Sequence, residues 1–224
     1  GMIESWILAS LAQLMGTLSR FAQDCILFGM PEFGYFRLPD EWCTGSSIMP
    51  QKRNPDVMEL VRARAVRVQA HADAAAGIVR SAPSGYNRDV QESKAPLLEG
   101  MDMTSATLRI IRSTVGQIEV DREALRRGFT PDVFATDEAL DRVAKGVPFR
   151  DAYRDVKRDL ATLSSADPVD AIRRKRHLGG TAGLDLDAVR EPAREAASFV
   201  AGRRKEIETA FADLLRVPYP DLSR

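Results

Sequence analysis

The chain is poor in cysteine, histidine and aromatic residues, and it lacks a long apolar run. Its 224 residues include two cysteines and two histidines, and aromatic residues make up only 7%. Cys25 and Cys43 are too few for a disulfide framework, so they indicate a reducing compartment and predict a cytoplasmic protein. No stretch reaches the roughly eighteen apolar residues that a membrane span needs, and no signal peptide is apparent.

Neither sign of charge is in excess. Lys plus Arg total 32 and Asp plus Glu total 32, which gives a formal net charge of zero. This balance argues against nucleic acid or an anionic membrane as a partner. The basic run at 173–176 has no aromatic residues between its cations, so it is typical of a solvated helix end rather than of a nucleic-acid surface.

Residues that favour helices are abundant. Hydrophobic residues reach 44%, with many alanines and leucines, and this mix favours helices over a β-sandwich or barrel. Three segments carry an apolar residue at alternating steps of four and three, a period that keeps one seam turned toward a partner helix. The seams are Ile7, Leu11, Leu14, Leu18, Phe21, Cys25 and Phe28; Met58, Val61, Ala65, Val68, Ala72, Ala75 and Val79; and Leu97, Met101, Thr104, Leu108, Ile111, Val115 and Ile118.

These seams predict an all-α fold that begins with a bundle of long helices, although three ordinary amphipathic helices would show the same periodicity. The first helix has Leu8, Met15 and Ala22 beside its seam, so its apolar face is wide. Three helices of about 25–30 residues make a thin bundle with much exposed apolar surface. Oligomerisation, or a missing piece of polypeptide, would cover this surface, and we expect a homo-oligomer.

Proline, glycine and capping residues mark the breaks between the helices. Residues 29–45 are expected to form an irregular connection. Asn54 is expected to cap the second helix, with Pro55 in its first turn. Asp89 is expected to cap the third helix, and Pro96 should kink or restart it.

After about residue 120 the pattern changes to shorter helices. We expect them at 121–127, 132–145, 149–163, 168–175 and, after a Gly-Gly-Thr turn, 185–215. The sequence therefore predicts two domains. Residues 1–120 are expected to form the long-helix bundle, and residues 121–224 a small all-helical C-terminal domain.

Residues 45–55 combine two hydroxyls, a cation and a carboxamide in the sequence Gly-Ser-Ser-Ile-Met-Pro-Gln-Lys-Arg-Asn-Pro. A serine hydroxyl such as that of Ser46 or Ser47 becomes a useful base only where its alkoxide is stabilised. Lys52 supplies a cation, and the start of the next helix supplies N–H donors for a substrate carboxylate. A serine-rich loop with a surface lysine and an ordinary helix cap explains the same residues equally well.

This segment resembles the signature loop of the fumarase/aspartase superfamily of lyases, Gly-Ser-Ser-x-Met-Pro-x-Lys-x-Asn-Pro. The resemblance implies that Ser46 is the catalytic base and that Ser47 helps to hold the substrate. It also implies that Lys52 and Asn54 contact a substrate carboxylate. Gln51 is typical of the argininosuccinate lyases within the superfamily, whereas fumarases and aspartases resemble each other in having glycine there.

A second block at 86–94, Tyr-Asn-Arg-Asp-Val-Gln-Glu-Ser-Lys, resembles the argininosuccinate lyase pattern Tyr-Asn-Arg-Asp-x-Gln-Glu-x-Lys. The resemblance implies substrate contacts from Tyr86, Gln91 and Lys94. Gln91 and Lys94 are three residues apart, so the spacing alone places them on one helix face. A polar first turn with solvated charges is the alternative.

Weaker likenesses extend the resemblance over nearly the whole chain. They lie at 18–20, 32–34, 135–137, 146–150 and 179–182. The chain departs from the family at Ser93, where Asp is common, at Tyr153, where His is common, and at Gly183, where Pro is usual. No catalytic group is removed by these departures.

The resemblance implies a β-elimination that splits argininosuccinate, a small substrate with a dicarboxylate part, into fumarate and arginine. Ser46 would take the proton, and Lys52 with the helix start would stabilise the charge that develops on the carboxylate. The family reaction needs no metal or organic cofactor. Neither His71 nor His177 lies beside a second metal-ligand cluster in the sequence, so we expect both at the surface or at an interface.

The resemblance also implies that part of the lyase is absent from this chain. Members of the superfamily assemble each active site from three subunits of a homotetramer, and the likeness here is to the C-terminal half only. We therefore expect the chain to be inactive alone and to need an N-terminal half supplied in trans. The alternative is a lyase-derived helical scaffold or relic without catalysis.

Overall fold

Helices form most of the structure, a computed structural model that describes residues 1–164 and 166–219. The described residues form eight α-helices and two strands of two residues each, so the prediction of an all-α bundle is confirmed. The chain divides into two units, one from Gly1 to Thr130 and one from Pro131 onward. Residues 121–130, which the sequence placed in the second domain, lie in the first unit.

The first unit contains three long helices and one short helix. Their bounds are α1 (Met2–Phe28), α2 (Asp56–Ser81), α3 (Lys94–Val115) and α4 (Arg122–Arg127). Two short antiparallel strands, β1 (Phe36–Arg37) and β2 (Glu119–Val120), tie the connection after α1 to the segment after α3, with Phe36 opposite Val120.

The three long helices alternate in direction. Helix α2 packs against both α1 and α3, and α1 also contacts α3. Gly1, at the start of α1, lies against Val79 near the end of α2 and Val90 just before α3. We call this the Gly1 end of the bundle. At the opposite end, which we call the Cys25 end, Cys25 of α1 packs in one cluster with residues from the start of α2 and the end of α3.

Two hydrophobic clusters hold the bundle together. The cluster nearer the Gly1 end contains Leu8, Ala12, Met15, Ala65, Val68, Ala72 and Ala75. The cluster at the Cys25 end contains Ala22, Cys25, Leu38, Met58, Val61 and Ile111. Each fully buried large side chain, such as Leu8, Met15 or Met58, stabilises the fold by about 1.5–3 kcal/mol relative to an exposed one.

The structure buries the predicted seam of α2 but only part of that of α1. In α2 the seam residues from Met58 to Ala75 are buried. In α1 Leu8, Met15 and Ala22 are fully buried and the seam residue Cys25 is 2% exposed, whereas the predicted seam residues Ile7 and Leu14 are 38% and 39% exposed. The prediction for α1 is wrong at these positions because its apolar face is wide enough to offer two stripes, and packing against two helices selects one of them.

The third predicted seam is buried only in part. Thr104 and Ile111 of α3 are buried, but Met101 and Leu108 are 47% and 40% exposed. A stripe of small and polar residues turns inward instead, including Gly100. Because these side chains are small, α3 can approach its neighbours closely while its larger apolar side chains stay at the surface.

Two of the predicted helix caps are wrong. The residue before α2 is Pro55, and Asn54 makes backbone hydrogen bonds to Thr44 instead of a side-chain cap. Asp89 lies within a 3₁₀ helix, Arg88–Ser93, that runs directly into α3. Pro96 is in the first turn of α3, where a proline leaves no intrahelical hydrogen bond unmade, and the change from 3₁₀ to α-helix lies just before it, at Lys94.

The described residues of the second unit form four α-helices and three 3₁₀ segments. The α-helices are α5 (Ala135–Ala144), α6 (Phe149–Arg158), α7 (Pro168–Arg174) and α8 (Leu186–Leu215), and the 3₁₀ segments are Pro131–Phe134, Leu160–Thr162 and Thr181–Gly183. Helices α5 and α6 pack on each other. None of the described helices is both long and apolar enough to cross a membrane.

Candidate functional site

The loop at 45–55 is closed at its base by a pair of backbone hydrogen bonds. The Thr44 N–H donates to Asn54 O at 3.1 Å, and the Asn54 N–H donates to Thr44 O at 2.8 Å. The Thr44 hydroxyl also contacts the carboxylate of Asp56, the first residue of α2. The loop therefore leaves the Cys25 end of the bundle and returns to it at two neighbouring points.

Ser46 is held in a tight turn within this loop. Its Oγ accepts hydrogen bonds from the backbone N–H groups of Ile48 and Met49, each at 3.2 Å. Two N–H donors at one hydroxyl oxygen favour negative charge on that oxygen, so this turn favours the alkoxide that a base needs. The Lys52 N–H closes the following turn on Met49 O at 3.0 Å.

The other candidate side chains of the loop are open to solvent. Ser47 and Lys52 are exposed, while Ser46 and Asn54 are half-buried. Even Ile48 is 85% exposed. The loop is therefore not packed into the interior, and its hydroxyls and ammonium group can meet a small anion that approaches from solvent.

The neighbouring residue Arg53 points back toward the bundle. Its Nη2 donates to Leu38 O at 2.9 Å, and the same guanidinium forms an ion pair with Asp40. Arg53 also hydrogen-bonds the thiol of Cys43. Burial raises the pKa of Cys43, and the cation of Arg53 opposes that rise. Sequence reasoning missed these contacts because position 53 is variable in the signature pattern.

The second block lies at the Gly1 end of the bundle. Tyr86 is 95% exposed, and Gln91 and Lys94 are exposed on the 3₁₀ helix and the first residue of α3. Glu4 lies nearby, since its pKa is lowered chiefly by a hydrogen bond from the amino terminus and to a lesser extent by Lys94. The side chains that the sequence grouped here are therefore all exposed and lie close together in the sequence at this end of the bundle.

The two blocks are separated by the whole length of α2. The loop at 45–55 precedes its first turn, and the block at 86–94 follows its last turn. Helix α2 has 26 residues, which at about 1.5 Å per residue is a separation of about 39 Å. Within one chain the structure therefore does not bring Ser46 and Lys52 together with Gln91 and Lys94.

The histidines stand apart from both blocks. His71, in the middle of α2, is half-buried, and its Nε2 lies 3.5 Å from Glu99 of α3. His177 is exposed in the turn after α7. Across residues 1–164 and 166–219, no group of three or more His, Cys, Asp or Glu side chains is arranged to hold a metal ion.

Comparisons of sequence and of structure both find that this chain is similar to proteins named as lyases. A family model described as "Lyase" matches residues 6–70. The argininosuccinate lyase of Sorangium cellulosum (strain So ce56) is 45% identical over 187 residues, which cover 84% of this chain and 43% of that protein. The argininosuccinate lyase of Thermotoga neapolitana is 45% identical over 154 residues, covering 69% of this chain and 39% of that protein.

Among solved structures, EDDS lyase in complex with formate matches with a TM-score of 0.70. The match covers 93% of this chain and 50% of the other, at 18% sequence identity, so it concerns the fold alone. The chain spans less than half the length of the curated relatives it matches.

Proposed function

The chain belongs to the fumarase/aspartase superfamily of lyases, and from this membership we propose that it supplies part of the active site of an argininosuccinate lyase. The reaction is the elimination of arginine from argininosuccinate, which leaves fumarate. The observation that carries this proposal is the turn at Ser46, whose hydroxyl oxygen receives two backbone N–H groups in the same exposed loop as Lys52.

Ser46, as its alkoxide, takes a proton from the carbon next to a substrate carboxylate. The electron pair of the broken C–H bond delocalises onto that carboxylate, where the Lys52 ammonium and the Asn54 carboxamide stabilise the charge. The pair then forms the C=C bond of fumarate as the C–N bond breaks. The leaving nitrogen keeps the C–N electron pair and gains a proton from an acid outside this loop.

An active site that used both blocks would draw them from different copies of the chain. The blocks are about 39 Å apart along α2, but two copies packed antiparallel would bring the Cys25 end of one beside the Gly1 end of the other. Exposed apolar side chains on α1 and α3 support such packing, because Trp6, Met101 and Leu108 are 64%, 47% and 40% exposed. A homotetramer, as in the superfamily, fits this requirement.

The relatives are more than twice as long as the part of them that this chain matches. We therefore propose that turnover needs the polypeptide that corresponds to the rest of the relative, supplied in trans in the cytoplasm. The chain alone is expected to give no turnover. A non-catalytic helical scaffold is the competing function, and it is favoured by the same exposed apolar surface.

The test is fumarate release from argininosuccinate, followed by ultraviolet absorbance. The chain is mixed with the unmatched portion of the Sorangium cellulosum relative, and each component is also assayed separately. We expect turnover by the mixture only. Turnover by the chain alone would contradict the need for a second polypeptide, and no turnover by a mixture that forms a stable complex would favour the scaffold.

The variant Ser46→Ala tests the assignment of the base. Removing a positioned base costs about 10²–10⁴-fold in rate, so we expect the complemented activity to fall by that factor while helicity and assembly stay unchanged. Ser84→Ala is the matched control, because Ser84 is exposed in the turn after α2. Full activity in Ser46→Ala would show that another group takes the proton.

A further inference from the structure

Arg53 lies between two residues that are assigned to the substrate carboxylate, Lys52 and Asn54. Its own side chain is engaged elsewhere. The Nη2 atom donates to Leu38 O at 2.9 Å and pairs with the carboxylate of Asp40. A guanidinium occupied in this way on the bundle side of the loop is not available to bind the substrate.

The partner of Arg53 belongs to the hydrophobic core. Leu38 is 7% exposed and lies in the cluster at the Cys25 end, together with Met58 and Val61 of α2. A hydrogen bond to its carbonyl therefore ties the loop to a buried residue of the hydrophobic cluster at this end of the bundle. The Asp40 carboxylate is 78% exposed, so that ion pair is screened by solvent and contributes less.

Asn54, the residue after Arg53, pairs with Thr44 in an isolated antiparallel bridge. The bridge and the Arg53–Leu38 hydrogen bond therefore fix this end of the loop at two consecutive residues. Lys52, which precedes them, is exposed, Asn54 is half-buried, and the Arg53 side chain itself is 39% exposed. Fixing Arg53 limits the positions that its two neighbours can take.

We propose that Arg53 is a positioning residue, which holds Lys52 and Asn54 on the face of the loop that receives the substrate carboxylate. This inference rests on the function proposed above. A guanidinium suits the role better than an ammonium group, because its planar fork of donors can serve a carbonyl and a carboxylate at once. Lysine at this position would keep the charge near Asp40 but would lose part of the hold on Leu38.

Two measurements test this role in Arg53→Ala and Arg53→Lys, with Arg80→Ala, an exposed arginine in the last turn of α2, as the matched control. The first is backbone hydrogen exchange in the isolated chain. We expect the amides of Thr44 and Asn54 to exchange at least about 10-fold faster in Arg53→Ala, with intermediate rates in Arg53→Lys and no change in the control. Unchanged exchange would overturn the proposal.

The second measurement is kcat/KM for argininosuccinate in the complemented assay. We expect a loss of about 10–100-fold in Arg53→Ala, partial recovery in Arg53→Lys, and partial rescue of Arg53→Ala by added guanidinium ion. An unchanged kcat/KM beside faster exchange would show that Arg53 only stiffens the loop, and would overturn the positioning role. If the wild-type mixture itself is inactive, the function proposed above fails, and the exchange result alone decides whether Arg53 fixes the loop.

Discussion

Gly100 offers a stability test in which the structure predicts the sign of the effect. It lies inside α3, and a Cβ atom added there would come within 2.5 Å of Leu8 Cδ2 and 3.9 Å of His71 Cβ. Leu8 is fully buried in the cluster nearer the Gly1 end, so a shift of its methyl group displaces other atoms of that core. The variant Gly100→Ala therefore forces either Leu8 to repack or α1 and α3 to move apart.

Two opposing effects set the magnitude for Gly100→Ala. Replacing a glycine in a helix interior by alanine stabilises the helix by about 0.5–1 kcal/mol. Overpacking a well-filled core costs about 1–3 kcal/mol. The second effect is larger, so the free energy of unfolding should fall by roughly 0.5–2 kcal/mol.

Gly77→Ala is the matched control. Gly77 is also inside a long helix, α2, but an added Cβ would meet nothing within 4 Å. Only the helix-propensity effect remains there, so the free energy of unfolding should rise by about 0.5–1 kcal/mol. The two glycine-to-alanine changes are chemically identical, and the structure predicts opposite signs for them.

Both variants are measured by urea unfolding, followed by circular dichroism. All samples are held at one protein concentration, because an oligomer makes the midpoint depend on concentration. A Gly100→Ala variant as stable as the wild type, or more stable, would show that α1 and α3 do not approach each other as closely as the structure has them. Loss of stability in Gly77→Ala would contradict the open space around α2.

Two further predictions concern titration and capping. Burial raises the pKa of Cys25 from its ordinary value of 9.0 to about 11. At pH 8 the thiolate fraction of Cys25, and its rate of labelling by a thiol reagent, should therefore be about 100-fold lower than those of a free cysteine, and labelling as fast as that of Cys43 would contradict this. Because the pKa is raised in the folded state, Cys25 contributes stability below about pH 9, and this stability is lost as pH rises toward 11. The Asp121 carboxylate accepts a hydrogen bond from the Ala124 N–H at 2.8 Å at the start of α4. Asp121→Ala should therefore lower the free energy of unfolding by about 1 kcal/mol, whereas Asp121→Asn should retain most of the capping stabilisation. Thermal unfolding of the two variants measures the difference.

Sequence periodicity predicted the helices better than it predicted the faces they bury. The seam of α2 is correct, since its residues from Met58 to Ala75 are buried and α2 packs against both α1 and α3. The seam of α1 is wrong at Ile7 and Leu14, since Leu8 and Met15 offer an equally apolar stripe one residue along. Periodicity measures the width of an apolar face, whereas the choice between two stripes depends on tertiary packing.

The backbone turn around Ser46 is local, so it is the part of the candidate site that the sequence could indicate. The turn at Ser46 needs only the backbone N–H groups of the two residues that follow Ser47, and this arrangement follows from the segment itself. The role of Asn54 was not readable in the same way. A side-chain cap and a backbone bridge to Thr44 are both open to an asparagine before a proline, and contacts outside the segment decide between them.

The distance between the two blocks was also beyond the reach of motif reading. Ser46 and Lys94 belong to motifs of one family, yet an uninterrupted helix of 26 residues places them at opposite ends of the bundle. The sequence contains the length of that helix, but a motif match gives no position in space. Only the helix rise converts the 26 residues into a separation that one active site cannot span.

The candidate site therefore depends on three levels of structure, and each level makes a different class of variant informative. The Ser46 turn depends on local backbone, so Ser46→Ala should remove the chemistry without affecting the fold. Arg53 fixes the loop beside Lys52 to the core at Leu38, so Arg53 variants should loosen the loop and leave the helices intact. In the proposed assembly the two blocks meet only between two copies, so a charged residue in place of the exposed Met101 on α3 should abolish complemented activity by preventing assembly while the helicity of the chain is retained. A variant that stayed monomeric and active would show that one active site does not use both blocks, because the 26-residue helix α2 keeps them apart within one chain.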